Sequence, residues 1–461
     1  QSIDNATIVI RNGMIQSVER GGSAPAGARV WDLEGLTVYA GFIDSHADLG
    51  MDQVPEGGDV GPTHWNPQVR AWFSTTANLQ DDEDRRQALR SQGFGTALVV
   101  PKQGIFRGTA SVVNLGDTGV RDRILRPDVA QSIGFQRSFE LGGRYPNSAM
   151  GTIALMKQTF MDADWYMRAW GAYEASGRAF LPPETSAALE ALESAVQGQQ
   201  PVIFETRSEE EYLRGQILAE DFGLDAWYRG NGQEYRIIDV LGENTEPLFV
   251  PLDFPDAPDV DNPEAAMNAS LAELRHWYLA PTNAGQLADA GIDFAITSDG
   301  LTSVGDFLPN LRTAVARGLS PDDALAAITT TPARYLGIEG THGTIAAGNV
   351  ANLVVAEGDL FTQEVDVRDV WVHGTVYGVT RAAQIDPRGT WVIQSEDQWG
   401  FQAQLTLEGT MNRLSGYIDV APGANVDEGV RVEIASASVV SETGRLEVTF
   451  DGEELGYEGT A

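Results

Sequence analysis

The sequence predicts an α/β fold followed by an antiparallel β unit, and three observations predict it. Apolar runs typical of buried strands alternate with helix-like stretches through the middle of the chain. The run TVYAGFIDSHADLG (37–50) delivers Asp44, His46 and Asp48 at its end, as a buried parallel strand presents polar side chains at its carboxyl tip. From Gly389 onward, short alternating strands separated by Gly, Asn and Asp turns are typical of a β-sandwich or small barrel.

The length and the charge of the chain limit the number of its domains and the classes of its partners. The 461 residues are long enough for two to three units with sizeable cores. The formal charge is -35, from 66 Asp plus Glu against 31 Lys plus Arg, which disfavours nucleic acid and anionic membranes as partners. Only Lys102 and Lys157 are lysines, so the other 29 of the 31 basic residues are arginines. This acidity with scarce lysine predicts adaptation to high salt, and an arginine-biased genome is the alternative.

Other features of the composition leave the compartment open. The chain has no cysteine, which excludes disulfides and thiolate metal ligands. No apolar run approaches the ~20 residues that a membrane span needs. Gln1 opens the sequence without a methionine, so we expect a preceding segment, and both an exported and a cytoplasmic location stay open. A strand-like stretch at 457–461 predicts that the last β domain is truncated here.

The first part of the chain predicts a small sheet, a long loop and a buried strand. Residues 1–36 contain two apolar runs hinged at Asn12-Gly13, which indicates a hairpin. Residues 50–80 are rich in Gly, Pro, Asn and Trp with little periodicity, as in a functional or mobile loop. The run FGTALVVPKQG then predicts a strand with Lys102 at its tip.

The middle of the chain is the most regular. A long helix is predicted over 148–170 with Ser148 as its N-cap. The strand PVIFET ends at Glu205, and a capping box from Ser208 to Glu211 opens a helix that stops before Gly223.

Two more strand ends carry polar side chains. DAWYRG is a strand that ends at Arg229, and GIDFAITSDG places Ser298 and Asp299 at its tip. A helix capped at Ser320 and further strands over 339–381 follow, and these strands are expected to pair with the sheet at the amino end.

Two stretches resemble the amidohydrolase superfamily. VYAGFIDSHADLG is similar to that superfamily's first barrel strand, usually an apolar run, Pro-Gly-Phe-Ile-Asp and then His-x-His. Residues 319–355 resemble its carboxyl-terminal signature, with Pro332-Ala333-Arg334 and Ala351-Asn352-Leu353. The likeness covers about residues 5–380, and the order of elements is similar to imidazolonepropionase-like members, including poorly characterised exported bacterial proteins.

The resemblance implies a domain plan. It predicts a (β/α)8 TIM-like barrel over 37–338 and a small composite β-sandwich built from 1–36 and 339–381. A carboxyl-terminal antiparallel β domain over 389–461 lies outside the resemblance. Because one fold hosts many reactions, the plan alone does not give the function.

The family's metal ligands carry over only in part. The first histidine of His-x-His matches His46, the second position has become Asp48, and the fifth-strand histidine falls on Glu205. The eighth-strand aspartate, which in the family ligates metal and accepts a proton from water, matches Asp299. The sixth-strand histidine falls on Arg229, which has no lone pair for a cation and pairs with carboxylates instead.

Two readings of this set stay open. In one, His46, Asp48, Glu205 and Asp299 hold one divalent metal, Zn, Mn or Mg, and Asp299 with His46 catalyses hydrolysis of a C–N bond such as an amide or lactam. In the other, no metal binds. The barrel is then a ligand- or protein-binding module in which Arg229 neutralises the carboxylates.

Further residues are candidates for contact with a small-molecule substrate or ligand. Lys102 and Arg229 lie at predicted strand tips, and His64 lies in the loop after the first barrel strand. An enzyme that uses His46, Asp299 and Lys102 directly, without metal, is a third reading. Lys157 is expected on a helix surface, and the number of subunits stays open, a homo-oligomer included.

Overall fold

A computed structural model of the chain describes residues 2–51, 64–139, 141, 145–242, 246–260, 267–379, 387–394, 402–410, 413–420, 429–440 and 445–450. The chain divides into two compact units, Gln1–Tyr377 and Gly378–Ala461. Each is described by itself below. The expected strand at 457–461 and part of the loop at 50–80 lie outside the described residues.

The first unit contains strands and helices in alternation. Its strands are β1 (Ala6–Arg11), β2 (Met14–Arg20), β3 (Thr37–Ala40), β4 (Phe42–Ala47), β5 (Phe94–Val99), β6 (Phe106–Asn114), β7 (Ile124–Gly134), β8 (Val202–Glu205), β9 (Ala226–Arg229), β10 (Leu248–Pro251), β11 (Ala295–Thr297), β12 (Leu353–Ala356), β13 (Val367–Val372) and β14 (Thr375–Gly378). The helices of the described residues are α1 (Thr75–Asn78), α2 (Glu83–Ser91), α3 (Ala149–Ala175), α4 (Ala187–Glu190), α5 (Glu193–Val196), α6 (Glu209–Phe222), α7 (Ile238–Leu241), α8 (Leu271–Leu279), α9 (Asn283–Asp289), α10 (Phe307–Ala316), α11 (Pro321–Ile328) and α12 (Thr330–Tyr335).

An eight-stranded sheet runs in sequence order from β4 to β11. Seven of its strands are parallel, and β6 is antiparallel to both β5 and β7. The α/β class is therefore confirmed, but the regular alternation of strand and helix expected of a (β/α)8 barrel is interrupted at β6. A short connection with Gly104 at a φ of 99° returns the chain beside β5 without a helix.

Several strands of the sheet contribute to one apolar core, and the two outer strands approach each other at one hydrogen bond. The core includes Ile43, Leu98, Ile203 and Phe249, each at most 1% exposed. The hydroxyl of Ser45 on β4 donates to the carbonyl of residue 296 on β11, 3.0 Å away. This hydrogen bond holds β4 and β11 side by side.

Local capping signals placed the helices well. Ser148 caps α3 through a hydrogen bond from Gly151 N, and α6 begins after Ser208 and ends at Gly223, whose φ of 64° is left-handed. The predicted capping box at Ser208 is only half formed. The Glu211 carboxylate accepts from the backbone N–H of Arg207 at 2.7 Å instead of from the N-cap residue.

The amino end of the chain packs with a late sheet. β1 and β2 form the expected hairpin, and β3 pairs with β12 in a four-stranded sheet of order β14-β13-β12-β3. Ile15 from the hairpin shares an apolar cluster with Leu353 and Trp371 of that sheet. Residues 37–40, which the sequence assigned to the barrel, therefore belong to this sheet.

The second unit is an antiparallel sheet, as its alternating sequence predicts. It comprises β15 (Gly389–Gln394), β16 (Gln402–Thr410), β17 (Arg413–Val420), β18 (Val430–Val440) and β19 (Arg445–Phe450), paired in that order. Leu405, Ile418 and Val432 lie in its apolar cluster. Among the described residues of the chain, no helix has the length and apolar character needed to cross a membrane.

Candidate functional site at the carboxyl ends of the strands

His46 lies between two carboxylates at the carboxyl ends of the parallel strands. Its Nε2 is 3.2 Å from Glu205 Oε1 and its Nδ1 is 3.5 Å from Asp299 Oδ2. The ring has no solvent exposure, whereas each carboxylate keeps 13% of its side-chain exposure. The ends of strands β4, β8 and β11 thus bring these three residues together, although Glu205 lies 159 positions after His46 in the sequence.

Asp299 is held by two cationic side chains. Lys102 Nζ donates to Oδ1 at 2.6 Å, and Arg229 Nε lies 2.8 Å from Oδ2. The Arg229 guanidinium also donates to the backbone carbonyls of Asp299, at 3.1 Å, and Gly230, at 2.9 Å. Arg229 thus contacts Asp299, which is the contact that the metal-free reading of the sequence predicts.

Glu205 has a cationic partner that the sequence did not identify. Arg107 forms an ion pair with its Oε1, and the arginine is 4% exposed. Arg107 lies near the start of β6, and because β6 is reversed, its first residues lie at the carboxyl ends of the neighbouring strands. Gly134, at the end of β7, leaves room for the guanidinium, since a Cβ there would overlap it.

The charges around the two carboxylates keep both ionised. Burial alone would raise the pKa of Glu205, but Arg107, Lys102 and His46 outweigh burial and hold that pKa well below its ordinary value. Burial likewise opposes ionisation of Asp299, and His46, Lys102 and Arg229 together lower its pKa. We call the six side chains of this cluster the mouth network: His46, Lys102, Arg107, Glu205, Arg229 and Asp299.

A buried aspartate on β4 fixes the geometry beneath the mouth network. Asp44 has no solvent exposure and accepts hydrogen bonds from the backbone N–H groups of His46 and Ser298, both at 3.2 Å. The hydroxyls of Thr297 and Ser298 also donate to it. Burial raises the pKa of Asp44 although these hydrogen bonds oppose the shift. Asp44 thus ties β4 to the segment that carries Asp299.

Three residues singled out from the sequence, Asp48, His64 and Lys157, lie at the edge of the mouth network or away from it. Asp48 and Lys102 line one cavity beside the mouth network. The His64 ring contacts the backbone of Asn66 and lies beside Trp65. Burial lowers the pKa of His64. Lys157 pairs with Asp221 on an exposed surface, as expected for a helix-surface lysine.

The donor set does not fit a divalent metal. Among the described residues, no group of three or more His, Asp or Glu side chains is arranged to hold one. Arg229 and Lys102 place fixed positive charge on both oxygens of Asp299, and Arg107 does so at Glu205. A divalent cation at this position would face three cations against two carboxylates, and arginine cannot act as a ligand.

Part of the sequence is similar to the sequences of known proteins. Residues 282–385 match the model of the amidohydrolase family. Adenine deaminase 2 of Jannaschia sp. (strain CCS1) is 35% identical over 112 residues, which are 22% of this chain and 17% of that protein. The amidohydrolase tasK of Hapsidospora irregularis is 22% identical over 404 residues, covering 80% of this chain and 39% of its own length.

A solved structure extends the likeness to the fold. The crystal structure of an amidohydrolase from Thermotoga maritima MSB8 superposes with a TM-score of 0.66 at 22% identity, over 80% of this chain and 94% of that one. This chain spans well under half the length of either curated relative.

Proposed function

We propose that the chain binds a small organic molecule at the carboxyl ends of the strands, without a divalent metal. Residues 282–385 match the amidohydrolase family model, and the fold is similar to that of an amidohydrolase, which supports this end of the sheet as the binding site. One observation carries the proposal: both oxygens of Asp299 are paired with cationic nitrogens, Oδ1 with Lys102 and Oδ2 with Arg229. Lys102 and Arg229 therefore contact Asp299, the residue that the resemblance assigns as a metal ligand.

Each part of the mouth network has a binding or positioning role in this proposal. Asp299 holds Arg229 and Lys102, and Glu205 holds Arg107 and His46. Lys102 keeps 28% of its side-chain exposure, so its remaining N–H groups can meet a ligand. No bond is made or broken in this role.

Hydrolysis of a C–N bond, as in an amide or lactam, is the second candidate. It is favoured by the family match at 282–385, which includes Asp299, and by the contacts of His46 with both carboxylates. Asp299 would then accept a proton from water. Its lowered pKa makes it a weak base at neutral pH, since a general base works best with a pKa near the working pH. Binding therefore ranks first.

A hydrolysis assay with and without metals distinguishes the two candidates. Purified protein, alone and supplemented with zinc, manganese or magnesium, is incubated with a panel of amides and lactams. We expect no turnover above that of Asp299→Asn. The control is Asp293→Asn, which alters an exposed aspartate paired with Arg334. Turnover that requires Asp299 and survives in Asp293→Asn would establish hydrolysis and overturn the binding proposal.

A further inference from the structure

A small cavity opens beside the mouth network. Its volume is about 130 Å³, and it is lined by Asp48, Met51, Arg70, Phe73, Pro101, Lys102 and Gln103. An apolar cavity of roughly 150 Å³ in a protein can hold benzene. This cavity therefore has room for a small organic molecule, and its lining combines charged, amide and apolar groups. We call it the Arg70 pocket.

Arg70 is a buried cation without a carboxylate partner among the described residues. The residue is 5% exposed, and its Nη1 donates to Gln103 Oε1 at 3.3 Å. Its guanidinium carbon lies 4.8 Å from the centre of the Phe73 ring. Burial lowers the pKa of Arg70, yet an arginine stays protonated at neutral pH.

A buried charge is costly unless an opposite charge or hydrogen-bond acceptors accompany it. Gln103 offers Arg70 one amide oxygen, which leaves several N–H groups of the guanidinium fork for another acceptor. The fork matches the two oxygens of a carboxylate. The contact with Gln103 also fixes the direction in which the fork points.

Lys102 adds a second cation to the same pocket. One of its three N–H groups donates to Asp299, and its Nζ lies 3.4 Å from His46 Nδ1. The Arg70 pocket is therefore continuous with the mouth network through this lysine. The pocket and the mouth network together hold four cationic side chains, on Arg70, Lys102, Arg107 and Arg229, against three carboxylates, on Asp48, Glu205 and Asp299. Their formal charge is therefore +1, in a chain whose formal charge is -35.

We propose that the Arg70 pocket binds the carboxylate group of a small organic monoacid, with the Arg70 fork and Lys102 contacting its oxygens. The apolar remainder of the acid packs against Phe73 and Met51. The excess of one positive charge favours a monoanion, and the Asp48 carboxylate disfavours the doubly charged form of phosphate. This inference rests on the proposed function, because it names the class of molecule that the mouth binds.

Because the chain contains only two lysines, the signal of Lys102 can be followed by itself during a titration. Protein labelled with ¹³C at the lysine side chains gives one set of signals from Lys102 and one from Lys157, assigned with Lys157→Arg. Butyrate and benzoate are titrated in, with sodium chloride and sodium phosphate at matched ionic strength as parallel arms. We expect a saturable shift of the Lys102 signal with the two carboxylates and none at Lys157, which pairs with Asp221 on the surface.

Variants of Arg70 then test whether the carboxylate binds in the Arg70 pocket. Arg70→Gln is expected to weaken butyrate binding at least tenfold, and Arg70→Lys, which keeps the charge but loses the fork, is expected to weaken it as well. The control Lys157→Gln is expected to bind butyrate as the unaltered protein does. If Arg70→Gln does not fold, Arg70→Lys carries the same test, and unchanged butyrate affinity in that variant would overturn the role of the Arg70 fork.

Three results would overturn the inference. These are no saturable shift at Lys102 with either carboxylate, an equal or stronger response to phosphate or chloride, and unchanged butyrate affinity in Arg70→Gln. In the last case, binding at Lys102 would persist, so the proposed function would stand while the Arg70 pocket would not. Metal-dependent hydrolysis would instead remove the proposed function, whatever the result at Arg70.

Discussion

Replacing Arg229 by glutamine is expected to lower the free energy of unfolding of the first unit by about 2–4 kcal/mol, somewhat less than the roughly 3–5 kcal/mol for breaking a fully buried ion pair. Arg229 Nε lies 2.8 Å from Asp299 Oδ2, and the two side chains are 14% and 13% exposed. At that distance two charges attract by about 6 kcal/mol at an effective dielectric constant of about 20. The net loss is smaller, because Lys102 still pairs with Asp299 and because removing the guanidinium also removes its desolvation cost.

Urea unfolding followed by the helical circular dichroism signal measures this change. All helices of the described residues lie between Thr75 and Tyr335, so that signal reports the first unit. The control is Arg168→Gln, which removes a pair with Asp164 whose side chains are 71% and 46% exposed. Such an exposed pair contributes less than about 0.5 kcal/mol. Equal losses in the two variants would refute the view that Arg229 is a fixed part of the mouth network.

Three further predictions follow from the same contacts. Lys102→Gln is expected to lower the thermal midpoint more than Lys157→Gln, although each lysine donates to an aspartate at 2.6 Å, because the first pair is more buried; equal shifts would contradict this. The pKa of Asp299 is lowered in the folded state, so its stabilisation is complete above an ordinary carboxyl pKa of about 4 and is lost as the pH falls below it. Urea unfolding between pH 5 and 2.5 should therefore show a shallower pH dependence in Asp299→Asn, by up to about 1.4 kcal/mol per pH unit, and an unchanged slope would count against the ion pairs. Gly134→Ala is expected to destabilise the first unit by about 1–3 kcal/mol, because the added Cβ displaces the Arg107 guanidinium from its glutamate; a neutral result in urea unfolding would show that the arginine relocates freely.

The elements with strong local signals were predictable. Ser148 and Gly223 fix a helix start and a helix end through backbone hydrogen bonds and a left-handed φ, which depend on a few neighbouring residues. The cluster of His46, Glu205 and Asp299 was predictable as well, because the carboxyl ends of parallel strands meet at one end of a sheet.

The reversed strand was not predictable from the pattern of apolar residues. A buried parallel strand and a buried antiparallel strand can carry the same apolar run, and β6 is buried along its whole length. Arg107 was missed for this reason, since its place at the mouth follows from the direction of β6. The absence of a helical stretch between β5 and β6 was the one signal in the sequence that favoured a hairpin.

Arg70 was missed because its environment is tertiary. It lies within the loop predicted over 50–80, where the sequence has little periodicity, and Gln103, which accepts its hydrogen bond, is 33 positions away in the sequence. A single arginine in such a loop is usually solvated. Only the folded chain brings it, buried, beside Lys102.

The metal content of the protein tests the central claim most directly. The chain is expressed in medium supplemented with zinc and manganese, purified without chelator and analysed by mass spectrometry of the elements. Because Arg229 and Lys102 occupy both oxygens of Asp299, we predict far less than one equivalent of either metal, and no difference between the unaltered protein and Asp299→Asn. One equivalent of metal that is lost in Asp299→Asn would contradict the account.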